Sequence, residues 1–118
     1  MPVFEIIFYE RKNGTSPVRE FIATLDVKME TKVANAINTL AEKGNRLREP
    51  LSKPLGDGIF ELRVQVATDI SRVFYFFMVG KRAVLTHGFI KKTEKTPRDE
   101  IERAKRYRYD YLKRRREK

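Results

Sequence analysis

A chain of 118 residues with a formal net charge of +10, 41% hydrophobic residues and no cysteine predicts one compact domain over residues 1–118 with a thin core. The missing cysteines exclude disulfides, thiolate zinc sites and cysteine nucleophiles, and they suit a reducing cytosol. The longest uncharged apolar run, Val73 to Gly80, is far shorter than the ~20 residues of a membrane helix, and Glu5 interrupts the apolar start, so neither a membrane span nor a signal peptide is expected.

Val3 to Tyr9 is a β-branched and aromatic run and predicts a first strand. Asn13-Gly14 turns the chain. Ser16-Pro17 then supplies an N-cap and a proline at the first helical position, where its missing N–H costs nothing. The helix from Pro17 to about Leu25 places Val18, Phe21, Ile22 and Leu25 on one face. Asp26 is positioned to cap a second, longer helix with an apolar stripe of Val33, Ala34, Ile37, Leu40 and Ala41, stopped at Lys43-Gly44. The two helices read as a hairpin, and their stripe as core.

Arg46 to Gly58 contains two prolines and two glycines and is expected to be a loop. Ile59 to Val66 alternates, with Leu62, Val64 and Val66 on one face and Glu61, Arg63 and Gln65 on the other. Ala67-Thr68-Asp69 is a turn. Arg72 to Val79 is apolar on both faces, the pattern of a central strand covered on both sides. Gly80-Lys81 turns the chain into a last strand, Arg82 to Ile90. Thr96 then reads as the N-cap of a final helix, with Pro97 at its first position and Asp99-Glu100 on the positive end of its dipole. The order of elements predicts an α+β domain: a strand and helix pair, a three-strand antiparallel meander, and a C-terminal helix.

Charge points to the partner. Lys91 to Lys118 holds 13 Lys and Arg against 6 Asp and Glu, so most of the excess lies in the last quarter. Such concentration suits a polyanion, nucleic acid by default. The run Lys113 to Arg116 reads as a frayed, solvated helix end. The densest chemistry lies from Val84 to Pro97. The only histidine, His87, sits on an apolar strand, and Lys91, Lys92 and Lys95 follow where that strand gives out. Cations neutralise phosphate, and imidazole moves protons near neutral pH.

Several schemes are excluded. One histidine cannot make a multi-histidine metal site, and no clustered carboxylates replace it. No serine lies in a Gly-x-Ser-x-Gly elbow, and there is no Gly-x-x-x-x-Gly-Lys loop. A basic site without metal or cofactor is expected. Arg63 projects opposite the core residues of its strand. Arg72 opens the most apolar strand, where a cation is costly unless it meets a groove or a partner. Arg63, Arg72, His87, Lys91, Lys92 and Lys95 are the candidates to converge on one concave face.

Four segments carry a family resemblance: Gly58-Ile-Phe-Glu-Leu-Arg63, Ser71-Arg-Val-Phe-Tyr-Phe-Phe77, Leu85-Thr-His-Gly-Phe-Ile-Lys-Lys-Thr-Glu-Lys-Thr-Pro97, and Glu100-Ile-Glu-Arg-Ala-Lys105 with Tyr109-Asp-Tyr111. In this order they resemble the HigB-like, phage-derived-type branch of the RelE/ParE toxin superfamily. The resemblance implies the RelE-like microbial RNase fold, an antiparallel sheet flanked by helices. It implies a toxin of a type II toxin–antitoxin module: a ribosome-dependent mRNA endoribonuclease of the cytoplasm that arrests translation and growth. It also implies a cognate helix-turn-helix antitoxin (HigA-like), and operator DNA bound by the toxin–antitoxin complex.

Under that resemblance Arg72 contacts the scissile phosphate, Arg63 is the basic residue of the preceding strand, and His87 with Lys91, Lys92 and Lys95 forms the basic end of the last strand. Glu61 stands where some relatives carry a lysine, so a two-lysine scheme does not transfer. Tyr107, Tyr109 and Tyr111 are candidates for an acid–base tyrosine or for packing of the last helix. The expected chemistry is attack by the RNA's own 2′-OH, with arginines stabilising the phosphorane and His87 or a lysine moving protons. Two alternatives stay open: a ParE-like gyrase inhibitor, and a nucleic-acid-binding module without activity.

Overall fold

A computed structural model describes residues 3–91 and 95–116. The elements in chain order are β1 (Glu5–Phe8), α1 (Pro17–Ala23), α2 (Val27–Lys43), a 3-10 turn (Gly44–Arg46), β2 (Ser52–Gly56), β3 (Ile59–Val66), β4 (Asp69–Met78), β5 (Arg82–Lys91) and α3 (Arg98–Arg116). One sheet runs in the order β1-β5-β4-β3-β2. The chain starts at one edge, crosses one face through α1 and α2, and returns strand by strand from the other edge. This is the predicted α+β architecture, compatible with a RelE-like microbial RNase fold.

The helix starts follow the local chemistry. Ser16 Oγ accepts from the Arg19 amide at 3.2 Å, and Asp26 Oδ1 accepts from the Met29 amide at 2.9 Å. Both satisfy N–H groups that a helix start leaves without an internal partner. Gly44 ends α2 with φ +54, and a Cβ there would sit 2.0 Å from Phe4 Cε1, so a side chain is barred by both backbone and space. The buried stripe of α2 is Met29, Val33, Ala36, Leu40 and Ala41. Ala34, expected in the stripe, is exposed.

Three features differ from expectation. The segment read as a loop contains β2, paired antiparallel with β3. Pro54 lies in it, and an edge strand is where a missing ladder donor is tolerated. The sheet is mixed, because β1 pairs parallel with β5. Moreover, α1 rests on β5 and α2 on β3. Each helix spends its apolar face on the sheet instead of on its neighbour.

The core has two layers. One joins Val18, Val33 and Leu40 of the helices to Leu62, Val73, Tyr75 and Leu85 of the sheet. The other places Ala104, Tyr107 and Tyr111 of α3 against Ile59, Phe74, Phe76 and Val84. Tyr9 seals this second layer. Its ring stacks on Tyr107, and its hydroxyl donates to Asp110 Oδ2 at 2.6 Å. Burial first, and then that carboxylate, push the Tyr9 hydroxyl up to about 12. Far from fraying, the basic end of α3 stays helical through Arg116, and Arg114 binds Asp110 and the Glu10 carbonyl.

Candidate functional site

The site lies on the α3 side of the sheet, and strand register sets its layout. Arg63 and Arg72 are directly opposed on β3 and β4, and Arg72 is in turn opposite Phe89 on β5. The next row toward the sheet end is Gln65, Ile70 and Lys91. The row on the other side of the arginines begins with Glu61 and Phe74.

Alternation on β5 breaks at one point. Val73 pairs with Gly88 while Tyr75 pairs with Leu85, so Thr86 and His87 together face Phe74. This bulge re-aims a side chain. Strict alternation from Leu85 would send His87 toward α1 and α2. Instead its ring packs edge-on against Phe74 and against Tyr107 of α3.

Two like charges opposed on neighbouring strands repel. Glu61 resolves this. Arg72 Nη1 lies 3.4 Å from Glu61 Oε1, and Arg63 Nε lies 3.4 Å from Glu61 Oε2. Neither Arg72 nor Glu61 has exposed surface. This answers the sequence puzzle of Arg72: its partner is an acid two residues before Arg63. The expected phosphate contact finds Arg72 sealed. Arg63 remains partly exposed.

Thr96 closes the cluster. Its hydroxyl donates to Glu61 Oε1 at 2.6 Å and accepts from Arg72 Nη1 at 2.8 Å. It therefore does not serve as the expected N-cap. The first helical acceptor is the Pro97 carbonyl, which receives the Glu100 amide at 3.2 Å and the Ile101 amide at 3.4 Å.

His87 occupies a separate compartment under α3. It is 3% exposed, and Phe74 and Phe89 fill the space toward Arg72. Nε2 lies 3.2 Å from Glu100 Oε1, and Nδ1 lies 3.2 Å from Thr86 Oγ1. We assign the ring proton to Nε2, because a carboxylate only accepts; the Thr86 hydroxyl beside Nδ1 has the Phe74 carbonyl as a second acceptor at 3.3 Å. An acid this close suggests an ion pair. Burial outweighs it, with Arg103 and Arg106 adding to the same effect, and the imidazole falls to about 3. His87 is neutral at physiological pH.

Of the six residues expected to converge, Arg63, Arg72 and Lys91 share one face in adjacent rows. Lys91 and Lys95 are exposed. His87 is on the same face but enclosed. Lys92 lies outside the described residues. Sequence reasoning missed the roles of Glu61, Thr96 and Glu100. One signal was available, since a buried arginine on a central strand requires an acid within reach. Among the tyrosines, Tyr107 and Tyr111 pack α3 onto the sheet and Tyr109 is exposed.

A cavity of about 310 Å3, lined by Pro50, Leu51, Arg63, Gln65 and Ile70, opens beside Arg63 where β2 begins. Among the described residues, no group of three or more His, Asp or Glu side chains could hold a metal ion, and no helix is long and apolar enough to cross a membrane.

No curated protein matches this chain significantly. The family model described as phage derived protein Gp49-like (DUF891) matches residues 20–109. That span takes in α2, β2 to β5 and α3 as far as Tyr109, with every described side chain of the arginine cluster. The chain thus belongs to the Gp49-like family, a RelE/HigB-type family of toxin–antitoxin toxins that act with a cognate antitoxin.

Proposed function

We propose that this toxin is an mRNA endoribonuclease working on the ribosome in the cytoplasm. The RNA's 2′-oxygen attacks the adjacent phosphorus, leaving a 2′,3′-cyclic phosphate and a 5′-hydroxyl. The observation that carries this reading is the opposition of Arg63 and Arg72, with Lys91 on the next strand and the same face. Two adjacent strands thus hold fixed cations side by side, Arg63 partly exposed and Arg72 buried beside it. Cations held in place before the reaction stabilise the charge that builds on phosphorus without having to reorganise.

Arg63, at the open edge of the cluster, meets the phosphate first. Arg72 stands behind it and adds charge to the phosphorane. Lys91 and Lys95, both exposed, protonate the leaving 5′-oxygen. His87 is a positioning residue, because its neutral ring is enclosed and tied to Glu100. The cognate antitoxin is a helix-turn-helix protein, and the pair binds operator DNA.

Expression without antitoxin tests the reading. Primer extension on cellular mRNA should show new 5′ ends with wild-type protein and far fewer with Arg63→Ala. A supercoiling assay run in parallel should show no gyrase inhibition. Growth arrest without new RNA ends would sink the endonuclease reading.

A further inference from the structure

A single hydroxyl sits between the buried acid and the buried arginine. Thr96 Oγ1 gives its proton to Glu61 Oε1 at 2.6 Å and takes a hydrogen bond from Arg72 Nη1 at 2.8 Å. The Thr96 side chain is a secondary alcohol, as is the ribose 2′-OH. Its surroundings are those a nucleophilic 2′-OH requires: a carboxylate to take the proton, and a guanidinium beside the oxygen as negative charge develops. Thr96 is the outermost of the three, half-buried, while Glu61 and Arg72 beneath it have no exposed surface.

We propose that Glu61 is the general base of the reaction, and that the Thr96 hydroxyl holds the place of the RNA 2′-OH until substrate displaces it. The assignment rests on the endonuclease reading above. The 2′-OH proton passes to Glu61 Oε1 as the 2′-oxygen bonds to phosphorus. The bond from phosphorus to the 5′-oxygen breaks, and its electron pair stays on that oxygen. The 5′-oxygen takes a proton from the ammonium of Lys91 or Lys95. Glu61 then returns its proton to water, and the lysine regains one from water, so both groups are reset. Arg63 and Arg72, already within 3.4 Å of Glu61, flank the developing charge. The same geometry makes Thr96 an internal competitor, so the free toxin keeps its base covered.

The test compares binding of a ribodinucleoside monophosphate with binding of its 2′-deoxy counterpart. Wild-type protein should prefer the ribo form by about tenfold, the worth of one hydrogen bond to a charged acceptor. Glu61→Gln should bind the two forms alike. Thr96→Val removes the competing hydroxyl at nearly constant shape and should bind the ribo form more tightly than wild type does.

A wild-type protein that does not discriminate, including one that binds neither form, overturns the proposal. So does a Glu61→Gln protein that keeps the preference. Unchanged or weaker ribo binding by Thr96→Val overturns the place-holding role of Thr96. Should Glu61→Gln not fold, as judged by circular dichroism, wild type and Thr96→Val still decide. Failure of the endonuclease reading is separate, since it is read from RNA ends in cells.

Discussion

His87 and Glu100 meet across the seam between β5 and α3, with Nε2 3.2 Å from Oε1. The bulge at Thr86 and His87 makes the contact possible, and it fastens the first turn of α3 to the sheet. Because burial dominates, the ring is neutral in the fold, at about 3 against the ordinary 6.5.

A pH dependence follows from that depression. In the unfolded chain His87 takes up a proton near pH 6.5, while in the fold it does not until about 3. The fold therefore binds fewer protons between these values. The stabilisation is complete above pH 6.5 and is lost as pH falls below it. The slope from this group is at most about 1.4 kcal/mol per pH unit. Urea titrations at pH 7.5, 6 and 5 should show it, and His87→Gln should flatten it. The rate of RNA cutting should show no step near pH 6.5.

Arg63 and Arg72 should separate when mutated. Arg63→Ala leaves Glu61 with Arg72 and Thr96, so stability should change little. Cutting should fall about 10²-fold, as for loss of one charge-stabilising donor. Arg72→Ala leaves a buried carboxylate short of its sealed partner and should cost about 3–5 kcal/mol. Its loss of toxicity should combine unfolding, which urea denaturation will report, with the lost charge at phosphorus, whereas that of Arg63→Ala should come without unfolding.

The exposed lysines should appear in salt dependence. If Lys91 and Lys95 contact RNA phosphates, each alanine substitution should lower the slope of log affinity against log salt by about 0.7. A single-stranded RNA titrated at several salt concentrations measures this. Thermal stability should stay as in the wild type.

Gly88 is where α1 presses on β5. A Cβ there would lie 2.5 Å from Phe21 Cδ2 and 3.0 Å from the Arg72 carbonyl oxygen. Gly88→Ala should destabilise by about 1–3 kcal/mol through overpacking. It changes no charge, so any loss of activity should follow stability. Calorimetry together with the RNA-end assay checks both.

The sequence alone was sufficient for whatever is settled within a few residues. Ser16 and Asp26 cap α1 and α2 as read, because a cap needs only a side-chain oxygen and an amide three residues on. β3 begins and ends where its alternation does, and β4 lies central and covered, as its two apolar faces require. The basic end of β5 was likewise legible from composition.

Only the tertiary structure decided where the chemistry points. Alternation from Leu85 directs His87 to the wrong face, and a bulge reverses it. Thr96 looks like a cap, yet a buried acid and arginine claim its hydroxyl, since leaving them unsatisfied costs more than a missing cap. Alternation puts Glu61 on the face of Arg63 without saying what it meets, and cross-strand register makes it the counter-ion of two arginines. Local hydrogen bonds and periodicity are written in neighbouring residues. Register, bulges and the pairing of buried charges depend on residues 11 to 35 positions apart, as in Arg72–Glu61 and Thr96–Glu61, and are settled only when strands and helix meet.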